Sequence, residues 1–343
     1  MATGKALNGK PYAGNPHVRF DEGEVASAAT PRRGSLLYKK TMLFAAAVAF
    51  VGCASVCSTA ESVAKPRPEG AYTTGEGVKF TLGIAPYTYH KYDDFDKILE
   101  FAQLHDLKCT GIKYFMVRKG VNVDKTDEVR AITDAEIAAC KEKAAKAGVK
   151  ISSIGPVYMS TEDQCDCAFE FAKRMGVDVV VAVPFKMDGK TRVENRELCQ
   201  YASKKCAETG IKYAIHNHGP DIPRLFPTGR SAYEMIKGMD PGMGLCLDIG
   251  HDFRAGYDPV DSIVRYGDRL WDVHLKNVSD CTKKGRAMQF PRGKIDMVEI
   301  AKALKKIGYS GALEIEYERD FTNNVPGMAE SVGYFRGVMD SLR

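Results

Sequence analysis

The chain is 343 residues long with 44% hydrophobic and 27% charged residues, which excludes a disordered chain and leaves room for a sizeable core. One barrel domain of about 250 residues plus an N-terminal leader accounts for that length. The net charge of +5 sits at the N-terminus: up to Ala60 there are seven Lys/Arg against three Asp/Glu, and the remainder carries 42 against 41. No basic stripe is left to track phosphates, which excludes a nucleic-acid partner.

Residues 1–40 lack helical or strand periodicity and read as a disordered leader, or as sequence upstream of a later start at Met42. Behind Lys39 and Lys40 lies an apolar run of 12, Thr41 to Gly52. It falls short of the ~20 residues of a membrane span and matches the core of a signal peptide over residues 41–60. Export is therefore expected, to the periplasm or to a membrane-anchored lipoprotein. Val51-Gly52-Cys53 resembles a lipoprotein box with Cys53 as the lipid-anchored residue, while Ser58-Thr59-Ala60 offers small residues to ordinary signal peptidase. A short buried helix is the competing reading, and the surrounding Pro, Gly and Ser speak against it. Residues 61–78 form a Pro/Gly/Thr-rich linker.

From residue 79 to the C-terminus, short β-branched or apolar runs alternate with helical patterns. The predicted strands are Phe80 to Ala85, Thr110 to Phe115, Val149 to Gly155, Asp178 to Pro184, Ile211 to Asn217, Met243 to Asp248, Leu270 to Lys276 and Gly311 to Tyr317. Between them, Phe95-Ile98-Leu99-Ala102, Ile137-Cys140-Ala144-Ala147, Ala168-Phe171-Ala172-Met175 and Val298-Ala301-Leu304-Ile307 carry the spacing of amphipathic helices. Thr133-Asp-Ala-Glu136 is a capping box, and Gly148, Gly176, Gly210 and Gly308 stand where helices should stop. Eight strand–helix units without a Gly-rich phosphate loop predict an α/β fold of the (β/α)₈ TIM-barrel type as a single catalytic domain. Ten cysteines are present, but Cys165 and Cys167 diverge on one helix and no C-x-x-C pair occurs, so most are expected to be small core residues.

In such a barrel the working groups sit at the C-terminal ends of the strands. Four of the seven histidines, His216, His218, His251 and His274, fall at the ends of the fifth, sixth and seventh predicted strands. Asp248 ends the sixth, Lys276 follows His274 by two, and Glu314, Glu316 and Glu318 alternate along the eighth. Residues two apart on a strand share a face, so imidazoles and carboxylates from neighbouring strands converge as ligand types for zinc, manganese, magnesium or cobalt. Each has a bland alternative. Asp248 can simply cap the next turn, and Glu314 and Glu318 can be rim salt-bridge partners. Lys113 either points into the site to neutralise an oxyanion or lies on the surface. Tyr87, Tyr89 and His90 after the first strand form either a substrate wall or plain packing.

The second half resembles the xylose-isomerase-like barrel superfamily of sugar phosphate isomerases and epimerases. The motifs that carry the resemblance are His216-Asn217-His218-Gly219, Leu247-Asp248-Ile249-Gly250-His251, Asp272-Val273-His274-Leu275-Lys276-Asn277, Arg292-Gly293-Lys294-Ile295-Asp296 and Gly311-Ala-Leu-Glu-Ile-Glu316-Tyr-Glu. It spans roughly residues 79 to 340. The resemblance implies Asp248, His274 and Glu316 as metal ligands and His251 as a substrate contact, joined by Lys113, Tyr89 and Arg292. Many relatives carry a glutamate on the fifth strand, as ligand and as base. This chain has His216 there, with His218 as its rival for the fourth ligand, and the two-carboxylate epimerisation is in doubt.

The implied chemistry is a metal-assisted isomerisation or epimerisation of an unphosphorylated sugar through an enediolate, with His218 or Lys276 as base and His251 or Lys276 as acid. Elimination from a keto-glycoside on the same site is the alternative, and a lipid-anchored sugar-binding protein without turnover is a third reading. An abasic-DNA endonuclease would need more histidines and a basic surface. An oligomer is compatible with the sequence.

Overall fold

The structure, a computed structural model, describes residues 80–92, 94–221 and 224–342. The leader, the apolar segment 41–60 with Cys53, and the linker 61–78 lie outside the described residues.

Eight parallel strands close into a barrel: β1 (Thr81–Ile84), β2 (Cys109–Ile112), β3 (Lys150–Met159), β4 (Val179–Asp188), β6 (Lys212–His216), β7 (Met243–Asp248), β8 (Leu270–Leu275) and β11 (Ala312–Ile315). Each pairs with the next, β11 returns to β1, and pairing between β3 and β4 completes the ring. All eight overlap the predicted strands, because short apolar runs leave little freedom in a buried parallel sheet, and β3 runs on past the expected Gly155 to Met159. The helices follow the same logic. Helix α4 (Asp134–Lys146) opens on the expected capping box, and α5 (Glu162–Met175) and α6 (Arg196–Thr209) stop at Gly176 and Gly210 in the left-handed conformation. The outer core joins strands to helices, including α1 (Phe95–Leu104), α10 (Met297–Lys306) and α11 (Val325–Ser341).

Three departures bear on function. The second strand stops at Ile112, and Tyr114–Val117 forms a helical turn, α2, that buries Tyr114 edge-on against Phe171. Strand β4 runs past the barrel rim to Asp188, turns through Gly189-Lys190, and returns as the antiparallel β5 (Thr191–Glu194). This ribbon overhangs the C-terminal face and is tied down by Glu194, whose carboxylate accepts from Phe226 N at 2.8 Å. At the opposite end, the β7–β8 register slips at Trp271, whose indole lies over Gly244; a Cβ there would stand 2.1 Å from Trp271 Nε1.

The eight cysteines among the described residues are free, seven of them buried, as expected for core residues. Among the described residues no helix is long and apolar enough to cross a membrane.

Candidate metal centre and catalytic mouth

The site is assembled by the last four barrel strands. Asn217 clips β6 to β7, accepting from Asp248 N at 2.8 Å and donating to Asp248 O at 3.0 Å. Asp248 then does two things at once. Its Oδ1 accepts from His251 N at 2.7 Å and caps α8 (Ile249–Arg254), which leaves Oδ2 directed at the barrel axis. Gly250 has no side chain because the stem of Lys276 runs against it, 2.6 Å from where a Cβ would stand.

Around the axis, His216 Nε2 lies 3.1 Å from His274 Nδ1, and His274 Nδ1 lies 2.9 Å from Glu316 Oε2. Asp248 Oδ2 is 4.0 Å from His216 Nε2. Two imidazole nitrogens and two carboxylate oxygens thus fall within 4.8 Å of one another, and all four side chains are buried. Ligand bonds of about 2.1 Å set neighbouring donors about 3 Å apart, close to the two shortest of these separations. The donor set and its spacing fit one divalent cation of the zinc or manganese class. His216, not His218, belongs to the group. Loss of hydration, and then the neighbouring His274, hold the pKa of His216 well below the ordinary range, so it is neutral, as a ligand must be.

Lys276 is 1% exposed, and its Nζ is 2.9 Å from Asp248 Oδ2, 3.3 Å from Glu316 Oε2 and 3.1 Å from Glu318 Oε2. Burial works against its charge, but Asp248, Glu316 and Glu318 outweigh it and raise its pKa. Lys276 is therefore held as an ammonium beside the four donors. His251 lies 3.2 Å from Lys276 Nζ through Nε2 and 3.3 Å from Arg254 Nη1 through Nδ1. His218 is half-buried, stacks on the His251 ring at 5.3 Å, and accepts from Gly219 N at Nδ1, so its proton resides on Nε2. Desolvation, then Lys276, lower its pKa to about 4. His218 is thus a neutral imidazole at the mouth, with Nε2 as its donor.

Around the mouth stand Tyr87, Lys113 with its Nζ 5.8 Å from the Tyr87 ring, and Tyr158, 5.8 Å from His218. Two expected substrate contacts are elsewhere. Tyr89 is 1% exposed, stacked on Phe101 at 3.9 Å in the core, because the short helical turn Pro86–Tyr89 after β1 buries Thr88 and Tyr89 and leaves Tyr87 outside. Arg292 turns to α11, where its Nε lies 2.7 Å from Glu330. Sequence reasoning missed Tyr158, at the end of β3, and Phe185 and Arg192, which the β4–β5 ribbon brings beside it. Asp188-Gly189 between Val and Thr residues was the available hairpin signal.

A family model of the xylose isomerase-like TIM barrel matches residues 101–338. The chain belongs to that family. Inosose dehydratase of Geobacillus kaustophilus is 31% identical to it over 135 residues, 35% of this chain and 43% of that protein. The rhizopine catabolism protein MocC of Rhizobium meliloti is 28% identical over 155 residues, 41% of this chain and 45% of that one. The chain thus spans less than half the length of these curated relatives. Among solved structures, the IolI protein with a bound zinc atom superposes with a TM-score of 0.56 at 19% identity, covering 76% of this chain and 99% of that one.

Proposed function

We propose that this family member is a divalent-metal-dependent lyase that removes a hydroxyl or alkoxyl group β to the carbonyl of a sugar-like or cyclic polyol ketone. The observation that carries the reading is the convergence of His216, Asp248, His274 and Glu316 on one point, beside a buried ammonium, Lys276, that is shared with a carboxylate outside the four, Glu318. A divalent cation held by the four would stabilise the negative charge that develops on the substrate's carbonyl oxygen as the α-proton leaves. Glu318 is placed to accept that proton, and Lys276, 3.1 Å away, to donate one to the oxygen that departs as the β carbon–oxygen bond breaks. Acid and base so close together suit a syn elimination. His218 and His251 border the pocket, His218 as a donor through Nε2.

Epimerisation on the same site would need a second proton-active group on the opposite face, and β6 offers His216 where a carboxylate would serve. The likeness to inosose dehydratase supports elimination, and the zinc in the IolI structure supports the cation. Incubation of manganese-loaded protein with myo-inosose and with 3-keto-glucosides in deuterated water, followed by NMR, tests the reading. Loss of the β-substituent supports it. Deuterium at the α-carbon with the skeleton retained would establish isomerase chemistry instead, and metal-bound protein inert on both would leave a binding protein.

A further inference from the structure

Several arginines on the molecule hold carboxylates: Arg118 pairs with Glu136, Arg130 with Glu170, Arg174 with Asp134 and Arg254 with Asp221. Arg192 does not. It stands at the rim of the mouth on β5, half-buried, with its guanidinium 4.7 Å from the centroid of Phe185 and 5.0 Å from that of Tyr158. Among the described residues no carboxylate pairs with it. Aromatic faces hold a guanidinium in place without using its in-plane N–H donors, so the fork stays available to a planar or tetrahedral anion.

Its aromatic partners set Arg192 beside the pocket. Tyr158, on which Arg192 lies, is the ring next to His218, and its hydroxyl is raised to about 12 first by burial, with Glu316 and Glu318 among the further causes. The ribbon is tied to the site: Arg224 pairs with Asp188 at 2.8 Å, and Glu194 N donates to Arg224 O at 3.2 Å, joining β5 to the loop that carries Phe226, whose carbonyl accepts from His218 N. The metal-ligand group and Arg192 are therefore separated by His218 and Tyr158 and fixed in one frame.

We infer that Arg192 is a substrate-specificity residue that binds an anionic group, carboxylate or phosphate, at the end of the substrate remote from the carbonyl. This deepens the function proposed above and rests on it for the carbonyl end alone. The substrate class becomes an acidic keto sugar or polyol in place of a neutral one.

Calorimetric binding to the manganese-loaded full chain tests this with three keto sugars: D-fructose as the neutral probe, 5-keto-D-gluconate as the carboxylate and D-fructose 6-phosphate as the phosphate. At least one anionic sugar should bind tenfold or more tightly than fructose, and which of them does so identifies the anion. Arg192→Ala should remove that advantage and leave fructose binding unchanged, while Arg192→Lys, which keeps the charge but not the fork, should restore only part of it. Equal binding of all three sugars, an equal loss for all three in Arg192→Ala, or no binding of any would overturn the assignment. Bound manganese measured on the same samples decides the metal centre independently, so failure of one reading is not mistaken for failure of the other.

Discussion

The two halves of the barrel divide the work unequally. Among the described residues, the buried ionisable side chains at the barrel axis come from β6, β7, β8 and β11 and the residues just after them: His216, Asp248, Asp272, His274, Lys276, Glu314 and Glu316. Strands β1 to β4 bring hydroxyls and empty space. Ser152 donates to Glu314, Ser153 hydrogen-bonds Asp272, and Gly111 has no Cβ where one would stand 3.3 Å from Glu314 Oε2. Burial, and then Asp272, raise Glu314 to about 8, and burial raises Asp272 as well, so below the cation site two acids that hold their protons more tightly share the barrel interior. The difference teaches that a barrel can concentrate charge on one side only if the other side supplies donors and room, because an uncompensated buried charge costs several kcal/mol.

The sharpest way to break this comparison is to remove ligands from the charged half. Alanine at Asp248, His274 or Glu316 should abolish stoichiometric metal, read by elemental analysis, and lower turnover by about a thousandfold, the equivalent of several kcal/mol of charge stabilisation. Unchanged metal content in all three variants would disprove the site.

Lys276→Met leaves Asp248, Glu316 and Glu318 without their cation and should cost about 3 to 5 kcal/mol in metal-free protein. Added manganese should recover more stability in this variant than in the parent, as followed by chemical denaturation. An equal response to metal would mean that Lys276 does not neutralise the same carboxylates.

The first half should respond through packing. Tyr89→Ala is expected to lose about 3 kcal/mol with KM and metal content intact, whereas Tyr87→Ala, 38% exposed at the mouth, should raise KM with little change in stability. Reversal of that pattern would return Tyr89 to the substrate wall.

The smallest effect concerns Asp252, buried under α7 (Gly229–Ile236), where it accepts from Gly229 N and Ser262 Oγ. Burial lifts its pKa from 3.8 to about 6 against those hydrogen bonds. The folded state therefore binds the proton more tightly, and the stability this contributes is complete below pH 3.8 and lost as pH rises through about 6. Relative to the parent, Asp252→Asn should gain about 2 kcal/mol between pH 4 and pH 7, measured by urea titration at both. A parallel pH dependence of the two proteins would assign the titration elsewhere.

The eight strands and the gathering of histidines and carboxylates at the ends of the later ones were legible in the sequence, because the strand-end rule is local and a closed parallel barrel permits one inward face per strand. The choice of Asp248, His274 and Glu316 among them came from the family resemblance. Choices among close neighbours were decided only by the tertiary structure. His216 and His218 share a face, and their depth along the axis determines which reaches the four-donor group. Asp248 caps a helix with one oxygen and faces the axis with the other, so the cap leaves the axial oxygen available to a cation. Tyr87 and Tyr89 differ by one short helical turn that sends one to the mouth and the other into the core, and Arg292 follows Glu330 outward. Arg192 had no motif of its own. Its place depends on a ribbon that leaves the barrel and bends back over the mouth, a long-range geometry that no spacing along the chain encodes.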